Sequence, residues 1–281
     1  MTQPIITRPP IQYYGGKFLL ADWIIQHLPK NDNYIEGCGG GCSVLLLKEP
    51  SPLEIYNDLN HHVFNFFMVL RDRPEELLAK LRLTPYSREE FNLCRTPHED
   101  PLESARRFFV SSWMSISRAP FDPATGMKTN TYHGQSYSSA VHNFRDHVDG
   151  DNLLNVAKRL SRVQIENREY FEIISRYDNK DATIYMDPPY VHSTRVDKSK
   201  YVFEWDDQQH RECAEILRGC TGCVVLSGYP SQLYAEEYEN YGWKRVDREA
   251  QVNGGDYRTE CLWLSPITQE RLDLPEQASL L

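Results

Sequence analysis

The sequence predicts an α/β protein whose mostly parallel sheet carries helices on both faces, ends in one antiparallel hairpin strand, and is interrupted by an inserted, mainly helical lobe. Three observations point there. Short apolar runs of strand character alternate with amphipathic helical stretches, as repeated βαβ units do. The last two runs are joined by Asn253-Gly254-Gly255-Asp256, a hairpin-forming link. The alternation also breaks once, from about Arg71 to about Asn152, a span far longer than one crossover helix needs.

In chain order, strand-like runs fall at Asn33 to Glu36, Leu53 to Asp58, Val163 to Glu166, Thr183 to Asp187, Cys223 to Ser227, Trp243 to Asp247 and Thr259 to Ser265. Helical patterns lie between them at Phe18 to Leu28, Ser43 to Leu47, Asn60 to Leu70, Leu153 to Arg162, Tyr170 to Tyr177 and Asp207 to Leu217. Inside the long break, helices are expected near Ser87 to Leu93 and Leu102 to Ser117. Ser117 to Phe144, rich in Ser, Thr, Asn, Tyr, His and Gly, reads as mobile polar loops. The expected organisation is a core domain over residues 1–70 and 153–281 with an insertion over residues 71–152.

At 281 residues, 40% of them hydrophobic, the chain is long enough for one sizeable core. No apolar stretch approaches the roughly 20 residues that span a bilayer, and the first ten residues lack a signal-peptide pattern, so a cytoplasmic location without membrane contact is expected. Seven cysteines, mostly in apolar segments, read as reduced core thiols. Cys220 and Cys223 form a CxxC pair with no second pair, and no metal is expected. The net charge of −9 is uneven. Between Arg106 and Arg168 nine basic residues stand against five acidic ones, a local +4 that leaves −13 for the rest. Solvated helix faces or a phosphate-contacting lobe both explain such a segment.

Asp187-Pro188-Pro189-Tyr190 closes the run Ala182 to Met186, which reads as a buried strand. Each proline fixes its own φ and keeps the residue before it extended, so the Asp187 carboxylate and the Pro188 carbonyl become two acceptors aimed in set directions. An exocyclic amino group on a nucleobase offers two donors to such a pair. Drawing on both returns its lone pair from the ring to nitrogen, ready to attack an electrophile. Tyr190 supplies a ring for stacking, worth about 1–3 kcal/mol per base. Most Asp-Pro dipeptides merely end a strand, so the other segments decide.

Glu36-Gly37-Cys38-Gly39-Gly40-Gly41 ends the first strand in an acidic, glycine-rich turn that runs straight into a helix, where backbone can approach a ligand closely. Asp58 ends the next strand about 20 residues on, placed to accept from a ribose diol. These two features fit NAD nearly as well as S-adenosylmethionine. Tyr13-Tyr14-Gly15-Gly16-Lys17 joins an aromatic, a flexible turn and a cation, without the spacing of a phosphate loop. Zinc-deaminase, metalloprotease and serine-hydrolase patterns are absent, as is the Pro-Cys dipeptide of enzymes that attack cytosine carbon.

In this order the segments resemble the Dam-type DNA adenine N6 methyltransferases with a DPPY motif, and the likeness spans nearly the whole chain. It implies a Rossmann-like, S-adenosylmethionine-dependent sheet with a target-recognition insertion. It also implies cofactor binding by Tyr13, Lys17, Glu36, Gly37, Gly39, Gly41, Asp58 and Asp187, and catalysis by Asp187, Pro188 and Tyr190. The family's usual tryptophan is a tyrosine at position 13. Glu260 to Pro266 resembles the family's last strand, and Glu166 to Tyr170 the segment near the cofactor's adenine. Arg118, Lys128 and Arg145 are the candidate nucleic-acid contacts of the insertion. Implied partners are double-stranded DNA and a cognate restriction endonuclease, with a monomer as the default state. The rivals are methylation of cytosine N4 or of adenine in RNA, a nicotinamide-dependent oxidoreductase, which leaves Asp187 to Tyr190 unexplained, and a noncatalytic DNA-binding module.

Overall fold

The computed structural model describes residues 5–117, 119–133, 136–194, 203–251 and 257–273. The chain begins with α1 (Ala21–Ile25), β1 (Asn33–Glu36), α2 (Ser43–Leu47), β2 (Leu53–Asn57), α3 (His61–Asp72), α4 (Pro74–Arg82), α5 (Arg88–Leu93) and α6 (Pro101–Met114). There follow β3 (Thr131–His133), β4 (Ser136–Ser138), α7 (Ala140–Asp149), α8 (Asn152–Leu160), β5 (Gln164–Glu166) and α9 (Tyr170–Tyr177). The last third holds β6 (Ala182–Met186), α10 (Asp207–Arg218), β7 (Cys223–Gly228), α11 (Gln232–Glu237), β8 (Lys244–Gln251), β9 (Tyr257–Leu264) and α12 (Pro266–Asp273). Two compact units emerge: residues 1–19, 40–49 and 60–167 form the first, and residues 20–39, 50–59 and 168–281 the second.

The second unit holds the strand run β2-β1-β6-β7-β9-β8. Its first four strands are parallel, with Glu36 opposite Tyr56 on one side and Tyr185 on the other. β9 runs antiparallel to β7 and pairs with β8 over eight residues, so the expected mostly parallel sheet with one reversed hairpin strand is present. The hairpin link itself, residues 252–256, lies outside the described residues. Every residue of β6 and β7 is buried, as expected of strands covered on both faces, and none shows the alternation of a half-exposed strand. Ile35, Ile55, Ile184, Met186, Val224, Leu226 and Trp263 build the core with Ile173 and Leu217 of the flanking helices. A reciprocal capping box starts α10: Asp206 accepts from Gln209 N–H (2.8 Å) and Gln209 accepts from Asp206 N–H (2.9 Å).

The first unit packs α3 against α6 through Phe66, Phe67, Phe108 and Phe109, with Phe144 of α7 on Phe109. Asp100 caps α6, where Pro101 occupies the first turn. Arg106, 7% exposed, donates to Glu90 (2.6 Å), Glu103 (2.7 Å) and Thr84 (3.0 Å). The bonds from Arg106, joined by those from Arg107, hold the Glu103 carboxyl down at about 2. Because that folded value is depressed from 4.5, the stabilisation is present above pH 4.5 and lost as pH falls through about 2. Arg106→Ala takes the ion pair from half-buried Glu90, leaves Glu103 to Arg107 and Lys80, and is expected to cost about 3 kcal/mol at pH 7. Urea melts at pH 7 and pH 3 test this, since the deficit must shrink at the lower pH and a constant deficit would contradict it.

Four expectations need correction. The helix expected over Phe18 to Leu28 is confined to α1, because His27 and Leu28 N–H turn to carbonyls three residues back and Pro29 follows. The helix expected to reach Ser117 stops at Met114, where Ser115 becomes extended and bridges Met127. Ser117 to Phe144 is not loop throughout: β3 pairs antiparallel with β4, and α7 begins at Ala140 with Ser139 accepting from His142 N–H (3.1 Å). Polar composition there hides backbone pairing and a cap, neither of which needs an apolar face. Finally, not all of the basic segment faces solvent: Arg106 and Arg159 are buried, and Arg159 donates to the Leu45 carbonyl (2.8 Å).

Candidate active site

Parallel strands put their carboxyl ends on one edge, where loops are free to converge on a ligand. Within the second unit, β1, β2 and β6 lead there into Glu36 to Gly39, Asn57-Asp58 and Asp187 to Tyr190. The turn after β1 is stitched to its neighbours on both sides. Gly37 N–H donates to the Tyr185 carbonyl of β6 (3.1 Å), and Gly39 N–H donates to the Asn57 carbonyl of β2 (2.8 Å). A Cβ on Gly37 would stand 2.4 Å from Met186 Sδ, and one on Gly39 would stand 2.1 Å from the Tyr56 ring. The glycines are there because the turn lies flat on two buried side chains.

Carboxylates gather around this turn. Burial pushes the Cys38 thiol well above its ordinary value, and Cys213, Asp58, Asp187 and Glu169 all push it further. One thiol therefore senses two of the three acids predicted from the sequence, Asp58 and Asp187, together with Glu169 of the Glu166 to Tyr170 segment. Such a thiol stays protonated at neutral pH, so iodoacetamide should leave Cys38 unmodified in the folded protein and label it after denaturation. Peptide mass mapping checks this, and rapid labelling of Cys38 in the native state would contradict it. Glu36 is buried and accepts from the Tyr34 hydroxyl (3.1 Å).

Asp187 is half-buried with its Oδ1 inside, and Pro188 is buried. Tyr190 is 4% exposed. Its hydroxyl donates to Glu260 Oε2 on β9 (2.9 Å), and its ring meets Tyr229 edge to face at 4.5 Å, with the Arg258 guanidinium 5.8 Å from the Tyr229 ring centre. Sequence reading did not mark Tyr229. The signal was present, because β7 ends in Gly228-Tyr229-Pro230, the same strand, aromatic and proline vocabulary that ends β6. Asn57 was likewise missed, because its burial at the end of β2 and its bonds to Gly37 and Arg168 depend on residues far away in the chain.

In the first unit, Tyr13 lies against the second half of the glycine run. A Cβ on Gly40 would meet its ring at 3.2 Å, one on Gly41 its Cβ at 3.8 Å, and Asn60 Nδ2 donates to its hydroxyl (3.3 Å). Lys17 is buried and donates to the Gly15 carbonyl (2.8 Å). Of the candidate nucleic-acid contacts, Lys128 donates to the Trp113 carbonyl (3.4 Å) and to Gln12, and Arg145 donates to the carbonyls of Arg82 (3.0 Å) and Thr84 (2.9 Å). Arg118 lies outside the described residues. Among the described residues no cluster of three or more His, Cys, Asp or Glu is arranged to hold a metal ion, and no helix is long and apolar enough to cross a membrane.

The pattern of the family described as D12 class N6 adenine-specific DNA methyltransferase matches residues 13–252. Type II methyltransferase M.MjaIII of Methanocaldococcus jannaschii is 24% identical over 91% of this chain and 96% of its own. The DNA adenine methylase of Salmonella typhi is 26% identical over 87% of this chain and 90% of its own. A solved structure of an rRNA methylase from Streptococcus thermophilus covers 93% of this chain and 98% of its own at 10% identity, with a TM-score of 0.35, too low to add to what the strand order shows. With an Asp-Pro-Pro-Tyr turn on a buried parallel strand, a glycine turn stitched beside it and a family match that takes in both, the chain belongs to the D12 class of N6 adenine-specific DNA methyltransferases, enzymes that move a methyl group from a donor cofactor to adenine.

Proposed function

We propose that the protein methylates the N6 amino group of adenine in duplex DNA, with S-adenosylmethionine as the donor and a flipped-out base as the acceptor. The observation that carries this reading is the Asp187-Pro188-Pro189-Tyr190 turn that leaves buried β6 beside a glycine turn hydrogen-bonded to β6 through Gly37 N–H (3.1 Å) and to β2 through Gly39 N–H (2.8 Å). The donor set suits the cofactor: Asp58 offers acceptors to a ribose diol, and the turn presents backbone where a side chain would intrude. Glu36, Gly37 and Gly39 complete its proposed binding set in the second unit, and Tyr13, Lys17 and Gly41 are the candidates of the first. Bound there, S-adenosylmethionine supplies an electrophilic sulfonium methyl to the amino nitrogen.

The chain's own groups do the rest. Asp187 and the Pro188 carbonyl accept the two amino protons' hydrogen bonds, which localises the lone pair on nitrogen and fixes its direction of approach. Tyr190 stacks the base. Since its ring is nearly covered, a neighbour such as Tyr229 has to shift when the base arrives. Extruding the base costs a few kcal/mol, and phosphate contacts from the 71–152 segment, with Lys128, Arg145 and Arg118 as candidates, offset it. The enzyme acts as a cytoplasmic monomer, alone or beside a cognate restriction endonuclease.

Calorimetry tests the cofactor assignment. S-adenosylmethionine should bind and NAD should not, with Asp58→Ala weakening the binding about tenfold or more. NAD binding without S-adenosylmethionine binding would overturn the proposal.

A further inference from the structure

Asn57 ends β2 at 1% exposure, and both ends of its side-chain amide are engaged. Its Nδ2 donates to the Gly37 carbonyl (2.8 Å) and to the Arg168 carbonyl (3.0 Å), while its Oδ1 accepts from Arg168 N–H (2.9 Å). Its main-chain carbonyl accepts from Gly39 N–H (2.8 Å). One residue thus ties together three backbone segments of the second unit: the glycine turn after β1, the strand end that carries Asp58, and the chain at Arg168, one residue before Glu169. Each tied segment bears one of the groups that converge on the turn, namely Cys38 itself, Asp58 and Glu169. All of the partners are backbone, so the clamp sets where the segments sit rather than which side chains they carry.

We propose that Asn57 is a positioning residue for the cofactor: it acts through the glycine turn, Asp58 and the Glu169 segment, and it sets affinity for S-adenosylmethionine without touching the methyl transfer itself. This rests on the reading of that turn as the cofactor site. Asparagine is required because one small side chain must donate twice and accept once. An aspartate of the same shape keeps the acceptor, loses both donors, and turns a carboxylate toward two carbonyls. The hydrogen bonds are buried, so losing them leaves the carbonyls of Gly37 and Arg168 short of a donor.

The test measures cofactor dissociation constants and steady-state kinetics for the wild type, Asn57→Asp and Asn57→Ser, with Asp178→Ala as a control. Asp178 accepts from Thr221 N–H and Gly222 N–H (2.8 Å each) at the start of β7, the opposite end of the sheet, so its loss destabilises the same unit away from the turn. Both Asn57 variants are expected to raise the dissociation constant and KM for S-adenosylmethionine about tenfold or more. Their kcat at saturating cofactor and KM for DNA should stay within about twofold of wild type, a split that general destabilisation does not produce. Asp178→Ala should lower Tm and leave cofactor affinity unchanged. Wild-type affinity in the folded Asn57 variants would overturn the inference, as would an equal loss of affinity in Asp178→Ala. So would failure of both Asn57 variants to fold, because the residue would then serve the fold itself. If the wild type binds no S-adenosylmethionine, it is the cofactor assignment that falls, which separates the two claims.

Discussion

Asp187→Ala is expected to lower kcat/KM about 10²–10³-fold while leaving the fold intact. The magnitude follows from the role proposed for it: a fixed acceptor at the reacting nitrogen is the kind of group whose loss costs two to three orders of magnitude elsewhere. The sparing of the fold follows from position. Asp187 comes after the last residue of β6, and the strand pairs with β1 through Ala182 to Tyr185 and with β7 through Thr183 to Met186 without it. Pro188 and Pro189 hold the turn whatever side chain precedes them. Asp187→Asn keeps the shape and one acceptor, so it should fall between the alanine variant and wild type. Single-turnover rates with Tm measured in parallel check the pair. An Asp187→Ala protein that still methylates at wild-type rate would contradict the assignment.

Gly39→Ala carries the second large effect, on structure and affinity together. Its Cβ would lie 2.1 Å from the ring of Tyr56, which is fully buried in β2, and the Gly39 N–H bond to Asn57 keeps the backbone from retreating. Either the ring or the turn must move. Overpacking of this kind costs about 1–3 kcal/mol or more, and displacing the turn should remove most cofactor binding. Gly41 offers the contrast: a Cβ there meets Ser43 Oγ at 3.7 Å and Tyr13 Cβ at 3.8 Å, ordinary contact distances. Gly41→Ala is therefore expected to keep the wild-type Tm. Equal melting temperatures for the two alanine variants would show that the turn is looser than the packing implies.

What could be read from the sequence was mostly what local chemistry determines. Runs such as Asn33 to Glu36 and Tyr170 to Tyr177 match β1 and α9 residue for residue, because an apolar run and an amphipathic period are each complete within the segment. The carboxyl ends of β2 and β6 were placed within one residue, which put Asp58 and Asp187 at the ends of the two parallel strands that flank β1. α4 was missed although Pro74, Glu75 and Glu76 open it with standard N-terminal signals, because the whole span was read as one insertion.

Other features depended on partners far away in the chain. Nothing near Asn57 says that its amide will meet Arg168, and nothing near Tyr190 says that Glu260 will accept its hydroxyl proton. Arg106 and Arg159 count as charge in a sequence and as buried donors in the fold. Composition therefore located a basic segment but overstated how much of it is offered to a polyanion.

The most direct measurement is the product itself. The protein is incubated with labelled S-adenosylmethionine and unmethylated duplex DNA, the DNA is digested to nucleosides, and the methylated species is identified by mass spectrometry. N6-methyladenine is expected from the wild type and none from Asp187→Ala. N4-methylcytosine in place of N6-methyladenine, or no methylated nucleoside at all from a protein that binds the cofactor, would contradict that expectation.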